Sequence, residues 1–204
     1  MNIATTRGQT KSLSLPNILT YARIAAIPVV VGCIYWQSIM DGPLWLRWVA
    51  LAVFLAAAVT DYLDGYYARI WDQQSAFGRM LDPIADKLLV ASCLLMRAAD
   101  GSINRWTLWA AFVILCREIL VSCLREYLAA LRVSVPVTQL AKWKTTVQLV
   151  AIGFLIAGEA GEAILPWTTL IGIILLWISA LVTIYTGWDY FRAGIHHLIK
   201  EDEG

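Results

Sequence analysis

The sequence is poor in charged residues and has no excess of either sign. Only 15 % of its 204 residues are charged, and 16 Lys and Arg against 15 Asp and Glu give a net charge of +1. Chains that bind nucleic acid normally carry a clear basic excess. The charge balance therefore argues against nucleic acid as the main ligand.

Cysteine and histidine are also scarce. The four cysteines lie far apart in apolar segments without the C-x-x-C spacing of a zinc or redox site. We expect them to be small buried apolar side chains, so thiolate metal sites and a disulfide framework are disfavoured. His196 and His197 stand side by side in the polar segment near the end of the chain. We expect both to be solvated.

Apolar residues, by contrast, make up 59 % of the chain and are concentrated in long runs. This exceeds the roughly 45–50 % of a soluble domain, and each run is near the roughly 20 residues that cross hydrocarbon. The sequence predicts an all-α membrane bundle of six spans, with tryptophans near the span ends as an interfacial belt. The predicted spans are 18–39, 44–69, 79–99, 105–131, 142–158 and 167–190.

Basic residues are distributed unevenly between the two sets of loops. One set of ends and loops carries most of the Lys and Arg, whereas the opposite set holds only Arg47, Arg97 and Arg105. By the positive-inside rule both termini are cytoplasmic, and a short segment, 1–14, precedes the first span. We expect no soluble domain at either end. The first span is too long for a cleaved signal and lacks an obvious cleavage site, so we expect it to be retained.

Four aspartates, Asp61, Asp64, Asp82 and Asp86, lie where the second predicted span ends and the third begins. Helical periodicity places Asp61 and Asp64 on one stripe and Asp82 and Asp86 on another, and a turn between them lets the stripes face each other. Converging carboxylates repel each other unless cations lie between them. Hard oxygen ligands in this number favour Mg²⁺ or Mn²⁺.

Small residues accompany these carboxylates. Gly65 and Ala68 share the first stripe and Gly78 the second, which leaves room for a ligand to approach the backbone closely. Arg69 ends the second span with a planar fork suited to phosphate. A metal site, small residues that leave room for a ligand, and a guanidinium suited to phosphate together suggest a substrate that carries pyrophosphate.

The pattern Asp61-x-x-Asp64-Gly65-x-x-Ala68-Arg69, then Gly78, Asp82 and Asp86 at intervals of eight, three and three residues, resembles the CDP-alcohol phosphotransferase signature at every defined position. The resemblance implies one membrane domain over 1–204, with the signature at 61–86. It implies transfer of a phosphatidyl group from CDP-diacylglycerol to an alcohol, with release of CMP. It also implies a homodimer in the cell inner membrane with its active site facing the cytoplasm.

The resemblance also suggests roles for the residues of the signature. Two divalent cations would be held by Asp61, Asp64 and Asp82, and Asp86 would be the general base and a further ligand. Gly65, Ala68 and Gly78 would line the cytidine slot, with Arg69 on the phosphates.

A polar arc, Asn17, Thr20 and Arg23, recurs every three residues on the first span. It either snorkels to the interface or faces the aspartates. The segment PNILTYAR resembles the first helix of family members, which favours the second interpretation and adds Thr20 to the nucleotide site.

A second polar group lies further along the chain. Arg117 and Glu118 are adjacent inside the fourth span, so we expect each to need a partner on another helix or a ligand. Arg125, Lys142 and Lys144 lie near the same cytoplasmic face, where contact with anionic lipid headgroups is the alternative role, above all for Arg125.

The segments REILVSCLREY and KWKTTVQ resemble the acceptor region of family members that use glycerol 3-phosphate. Arg117, Arg125, Lys142 and Lys144 would then bind the acceptor phosphate. A cardiolipin-forming or inositol-phosphate-using member of the family remains the alternative, and an ion-coupled transporter the remote one.

Overall fold

The computed structural model of the chain is all-helical. It describes residues 15–71, 76–130 and 139–202, with side chains at 17–61, 80–129, 139–140, 143–188 and 190–192. The six predicted helices are confirmed within these ranges, and their ends lie a few residues from the predicted ones except at α6, which continues beyond 190. The helices are α1 Leu15–Ser38, α2 Trp45–Trp71, α3 Ala76–Ala99, α4 Thr107–Ala130, α5 Gln139–Glu162 and α6 Thr168–Asp202.

Membrane character is concentrated in three of the described helices. The segments Asn17–Ser38, Thr107–Ala129 and Thr168–Arg192 are long and apolar enough to cross a bilayer. Tryptophans near the ends of the predicted spans are 40–75 % exposed. These tryptophans are Trp45, Trp48, Trp106, Trp109, Trp167 and Trp188.

The first compact unit is Met1–Met96, which holds α1, α2 and most of α3. The predicted break between the first two helices is confirmed: the Gly42 N–H donates to the Trp36 carbonyl at 2.9 Å. A Cβ at Gly42 would stand 2.7 Å from that carbonyl oxygen, so only glycine fits this turn. Arg47, which the sequence analysis counted among the basic residues of the opposite set of span ends and loops, is buried and donates to Gln37.

The second unit, Arg97–Gly204, contains α4, α5 and α6, and α6 packs against both of the others. Gly158 breaks α5 with φ 42° and ψ −126°, at the predicted end of the fifth span. Arg97, which was counted in that same set, is fully buried. It forms an ion pair with Asp100 and donates to the Leu155 carbonyl at 3.1 Å. The break at Gly158 lies three residues after that carbonyl, so Arg97 supplies a donor where α5 is interrupted.

The four cysteines are free thiols, as expected, but they are not uniformly buried. Cys93 is buried, Cys33 and Cys116 are half-buried, and Cys123 is exposed. The expectation of a buried side chain is therefore wrong at Cys123, which faces outward on an apolar helix.

Candidate active site

Three carboxylates, one from α2 and two from α3, lie near Arg23 of α1, and we call Asp61, Asp82 and Asp86 the carboxylate cluster. One guanidinium nitrogen of Arg23 lies against both Asp61 and Asp86, and Asp82 is near enough to both to interact with them electrostatically. The Asp61 and Asp86 side chains are 44 % and 45 % exposed. Negative charges this close favour any cation that can lie between them.

The polar arc of α1 faces this cluster. Asn17, Thr20 and Arg23 are each 1 % exposed, so interfacial snorkelling is excluded. Arg23 Nη1 lies 2.9 Å from Asp61 Oδ1 and 3.1 Å from Asp86 Oδ1, and the Thr20 hydroxyl donates to Asp82. One guanidinium on α1 therefore ties a carboxylate of α2 to one of α3.

Several predicted site residues have side chains that lie outside the described residues. Among the described side chains, no group of three is arranged to hold a metal ion. The carboxylate oxygens of the cluster are nevertheless the ligands that Mg²⁺ and Mn²⁺ prefer. They come from α2 and α3, as expected of a metal site formed by two helices. The predicted residues outside the description are Asp64, Gly65, Ala68, Arg69 and Gly78.

A second polar group, which we call the cation cluster, consists of Arg117, Glu118 and Arg125 of α4 and Lys144 of α5. Lys144 is 3 % exposed and forms an ion pair with Glu118. Arg117 Nη1 lies 3.6 Å from Glu118, so the adjacent pair interacts more closely than expected from their positions on the helix. Glu118 therefore has a partner on another helix, Lys144 of α5, as the sequence analysis expected. The side chain of Lys142 lies outside the described residues.

Residues of α6 that the sequence analysis missed complete the cation cluster. Arg117 Nη2 donates to Thr186 Oγ1 at 3.1 Å, and Arg125 Nη2 donates to the Tyr190 hydroxyl at 3.2 Å. Thr186 and Tyr190 are four residues apart and share one helix face. Two polar side chains four residues apart on an otherwise apolar helix are the sequence feature that could have predicted this contact.

The two clusters carry opposite charge. The described part of the carboxylate cluster has three acids against Arg23, which gives −2. The cation cluster has three bases against Glu118, which gives +2. The first is suited to bind cations and the second an anion such as a phosphate group.

Comparison with known proteins gives a consistent result. Residues 13–185 match the family model for CDP-alcohol phosphatidyltransferases. The chain is 41 % identical to a CDP-diacylglycerol–glycerol-3-phosphate 3-phosphatidyltransferase of Cereibacter sphaeroides, over 92 % of this chain and 98 % of that protein. It is 46 % identical to the enzyme of the same name from Rickettsia bellii, over 88 % of this chain and 94 % of that protein.

A relative with a different name is similar at almost the same level. A CMP-forming cardiolipin synthase of Oryza sativa is 39 % identical over 93 % of this chain and 60 % of that protein.

Proposed function

Because the chain belongs to the CDP-alcohol phosphatidyltransferase family, we propose that it transfers the phosphatidyl group of CDP-diacylglycerol to glycerol 3-phosphate. The products are phosphatidylglycerol phosphate and CMP. The observation that carries this proposal is the match along nearly the whole length of relatives with that activity in their names. An ion-coupled transporter has no comparable support.

The charge of the cation cluster supports the choice of acceptor. Glycerol 3-phosphate carries close to two negative charges, which matches the net +2 of Arg117, Arg125, Lys144 and Glu118. We assign the acceptor phosphate to Arg117, Arg125 and Lys144, together with Lys142. A cardiolipin synthase would instead take phosphatidylglycerol, whose single phosphate charge needs less compensation.

The carboxylate cluster provides the metal site of this proposal. Asp61, Asp64, Asp82 and Asp86 would hold two divalent cations, Mg²⁺ or Mn²⁺. Bound there, such cations would supply positive charge to neutralise the pyrophosphate of CDP-diacylglycerol and the departing CMP oxygen. Arg23 holds Asp61 and Asp86 in place through its two ion pairs.

The reaction is a substitution at phosphorus. The primary hydroxyl of glycerol 3-phosphate attacks the phosphatidyl phosphorus, its proton passes to Asp86, and the bond to the CMP oxygen breaks. The Asp86 side chain is 45 % exposed, so a substrate hydroxyl can reach it although Arg23 occupies one of its oxygens. By the resemblance to the family, we assign the nucleotide site to Thr20, Gly65, Ala68 and Gly78, and the phosphates to Arg69.

One assay separates the acceptor alternatives. Purified protein is incubated with CDP-diacylglycerol, Mg²⁺ and, in turn, glycerol 3-phosphate, phosphatidylglycerol and inositol phosphate, and the lipid product is identified. We expect phosphatidylglycerol phosphate and equimolar CMP. Cardiolipin formed in preference from phosphatidylglycerol would overturn the assignment.

In the membrane, we propose that all six helices span the bilayer of the cell inner membrane, that both termini and the active site face the cytoplasm, and that the chain is a homodimer. Single cysteines at Ser75 and Ile164 in a cysteine-free background test the topology. Ile164 is 75 % exposed, whereas a Cβ at nearby Gly161 would stand 2.7 Å from Thr168 Cγ2. The two cysteines should react with an impermeant reagent from opposite sides, and same-sided labelling would contradict six spans.

A further inference from the structure

Tyr190 of α6 lies between two arginines of α4. Its ring centroid is 5.9 Å from Arg117 Cζ and 5.5 Å from Arg125 Cζ, and its hydroxyl accepts the hydrogen bond from Arg125 at 3.2 Å. The side chain is only 5 % exposed. A single buried aromatic ring therefore contacts both guanidinium groups of the cation cluster.

The residues one turn before Tyr190 fix Arg117 further. The Thr186 hydroxyl donates to the Val182 carbonyl at 2.9 Å, which directs its oxygen to accept from Arg117. At Gly187 a Cβ would stand 3.0 Å from Arg117 Cγ, so the stem of the arginine lies directly on the helix backbone. Arg117 therefore packs against one continuous surface of α6, formed by Thr186, Gly187 and Tyr190.

Contacts that hold the arginines in place reduce the cost of ordering them when an anion binds. Two like charges repel each other, and a free arginine side chain has many rotamers, so an anion that binds both must order them at a cost in affinity. The negative face of an aromatic ring attracts guanidinium groups and limits their rotamers before the anion arrives. A site prearranged in this way binds its anion more tightly.

We propose that Tyr190 is a positioning residue that sets the arrangement of Arg117 and Arg125 and thereby the affinity for the acceptor's phosphate group. This inference rests on the proposed function, which assigns the acceptor phosphate to these two arginines. Tyr190 itself need not touch the acceptor.

Two variants at this position separate the ring from the hydroxyl. Tyr190→Phe keeps the ring and loses only the hydrogen bond to Arg125, so the KM for glycerol 3-phosphate should rise about twofold to threefold. Tyr190→Leu loses both contacts and should raise it about tenfold or more. In both variants the KM for CDP-diacylglycerol should stay within about twofold of wild type.

The chain offers a matched control and an independent second variant. Tyr185 lies on the same helix and is 59 % exposed, so Tyr185→Leu should leave both KM values unchanged. Gly187→Ala displaces the Arg117 stem without touching Tyr190 and should raise the KM for glycerol 3-phosphate alone. It tests whether the arrangement of Arg117 matters independently of Tyr190, and Tyr190→Phe stands in for Tyr190→Leu if the latter fails to fold.

The outcomes distinguish this inference from the proposed function. If the wild type forms phosphatidylglycerol phosphate but Tyr190→Leu, or Tyr190→Phe in its place, weakens both substrates equally, Tyr190 is merely structural and the inference is wrong. If the wild type does not use glycerol 3-phosphate, the proposed function fails. The inference is then tested by calorimetric binding of inorganic phosphate, which should be weaker in Tyr190→Leu, or in Tyr190→Phe in its place, and unchanged in Tyr185→Leu.

Discussion

The two polar clusters of this chain are built in the same way with opposite sign. In the carboxylate cluster one arginine, Arg23, whose side chain is fully buried, pairs with Asp61 and Asp86, and Thr20 donates to Asp82. In the cation cluster one glutamate, Glu118, pairs with Arg117 and the buried Lys144, and Tyr190 contacts both Arg117 and Arg125. Counted over the charged residues named here, each cluster has a formal excess of two charges of one sign.

The difference lies in what each excess can bind. An excess of carboxylates on two helices calls for divalent cations, whereas an excess of guanidinium and ammonium groups calls for a phosphate. A phosphotransfer reaction needs both kinds of environment, one for the metal-bridged pyrophosphate and one for an anionic acceptor. Changes that remove a charge from one cluster should therefore affect one substrate and spare the other.

The largest effect is expected from Asp82→Asn, which removes a charge from the carboxylate cluster at almost unchanged volume. The loss of a metal ligand should cost several kcal/mol of transition-state stabilisation, or about a thousandfold in kcat/KM. Activity is measured with purified protein at saturating Mg²⁺. Asp41→Asn, in an exposed turn with φ 53°, is the matched control because asparagine tolerates that backbone conformation.

Metal removal gives the same cluster a second test. Chelation should inactivate the wild type, and added Mg²⁺ or Mn²⁺ should restore it. Full activity in the chelated enzyme would contradict the metal site, whatever the outcome for Asp82→Asn.

Removing the counter-charges tests how each cluster is held together. Arg23→Gln leaves three acids uncompensated and should lower the free energy of unfolding by about 3 kcal/mol, the low end for a broken buried pair because the acids are half-exposed. Added Mg²⁺ should raise the melting temperature of this variant more than that of the wild type, since metal binding replaces the missing charge. Arg105→Gln, at an exposed position, should show neither effect.

Glu118→Gln is the mirror change in the cation cluster. It leaves Lys144, which is 3 % exposed, without its ion-pair partner and should destabilise the protein by a similar amount, about 3 kcal/mol. Here glycerol 3-phosphate, and not Mg²⁺, should restore the melting temperature. Equal rescue of both variants by Mg²⁺ would mean that the two clusters do not have distinct ligands.

Much of this comparison could be predicted from the sequence, because it follows from local patterns. The spacing of Asp82 and Asp86 put them on one helix stripe, and the three-residue period put Thr20 and Arg23 on another. That Thr20 and Arg23 face the aspartates was favoured only by the resemblance to the family. Helical periodicity is independent of how helices pack, so such stripes can be derived without a structure.

Features that depend on packing between distant helices were not accessible in the same way. The spacing of Arg97 and Asp100 permits their ion pair, but nothing local indicates that Arg97 is fully buried and donates to the Leu155 carbonyl of α5 near Gly158. The positive-inside rule counted Arg97 only as a charge near a span end, because that rule considers distance from the span end and not packing. Tyr190 was missed for a related reason: an aromatic residue near the end of an apolar helix usually belongs to the interfacial belt.

An intermediate effect is expected at Arg117 and Lys144. A hydrogen bond to a charged group contributes about 1.5–3 kcal/mol, so Arg117→Gln or Lys144→Gln should raise the KM for glycerol 3-phosphate about 10- to 150-fold. The KM for CDP-diacylglycerol should barely change. If both substrates weaken equally, these residues support the helix bundle or the nucleotide, and the acceptor assignment loses its physical basis.

The smallest effect is expected at Arg125, which is exposed but hydrogen-bonded to Tyr190. Its contribution is reduced by solvent and screened by salt, so Arg125→Gln should raise the KM for glycerol 3-phosphate only about twofold to fivefold, less at higher ionic strength. Tyr190→Phe removes the same hydrogen bond, so the double variant should add little to Arg125→Gln alone. Two roles are open to Arg125: binding the acceptor phosphate and contacting anionic lipid headgroups. Steady-state assays in detergent and in vesicles with and without anionic lipid separate them. A KM effect that appears only with anionic lipid would assign Arg125 to the headgroups and leave Arg117 and Lys144 as the described cations of the acceptor site.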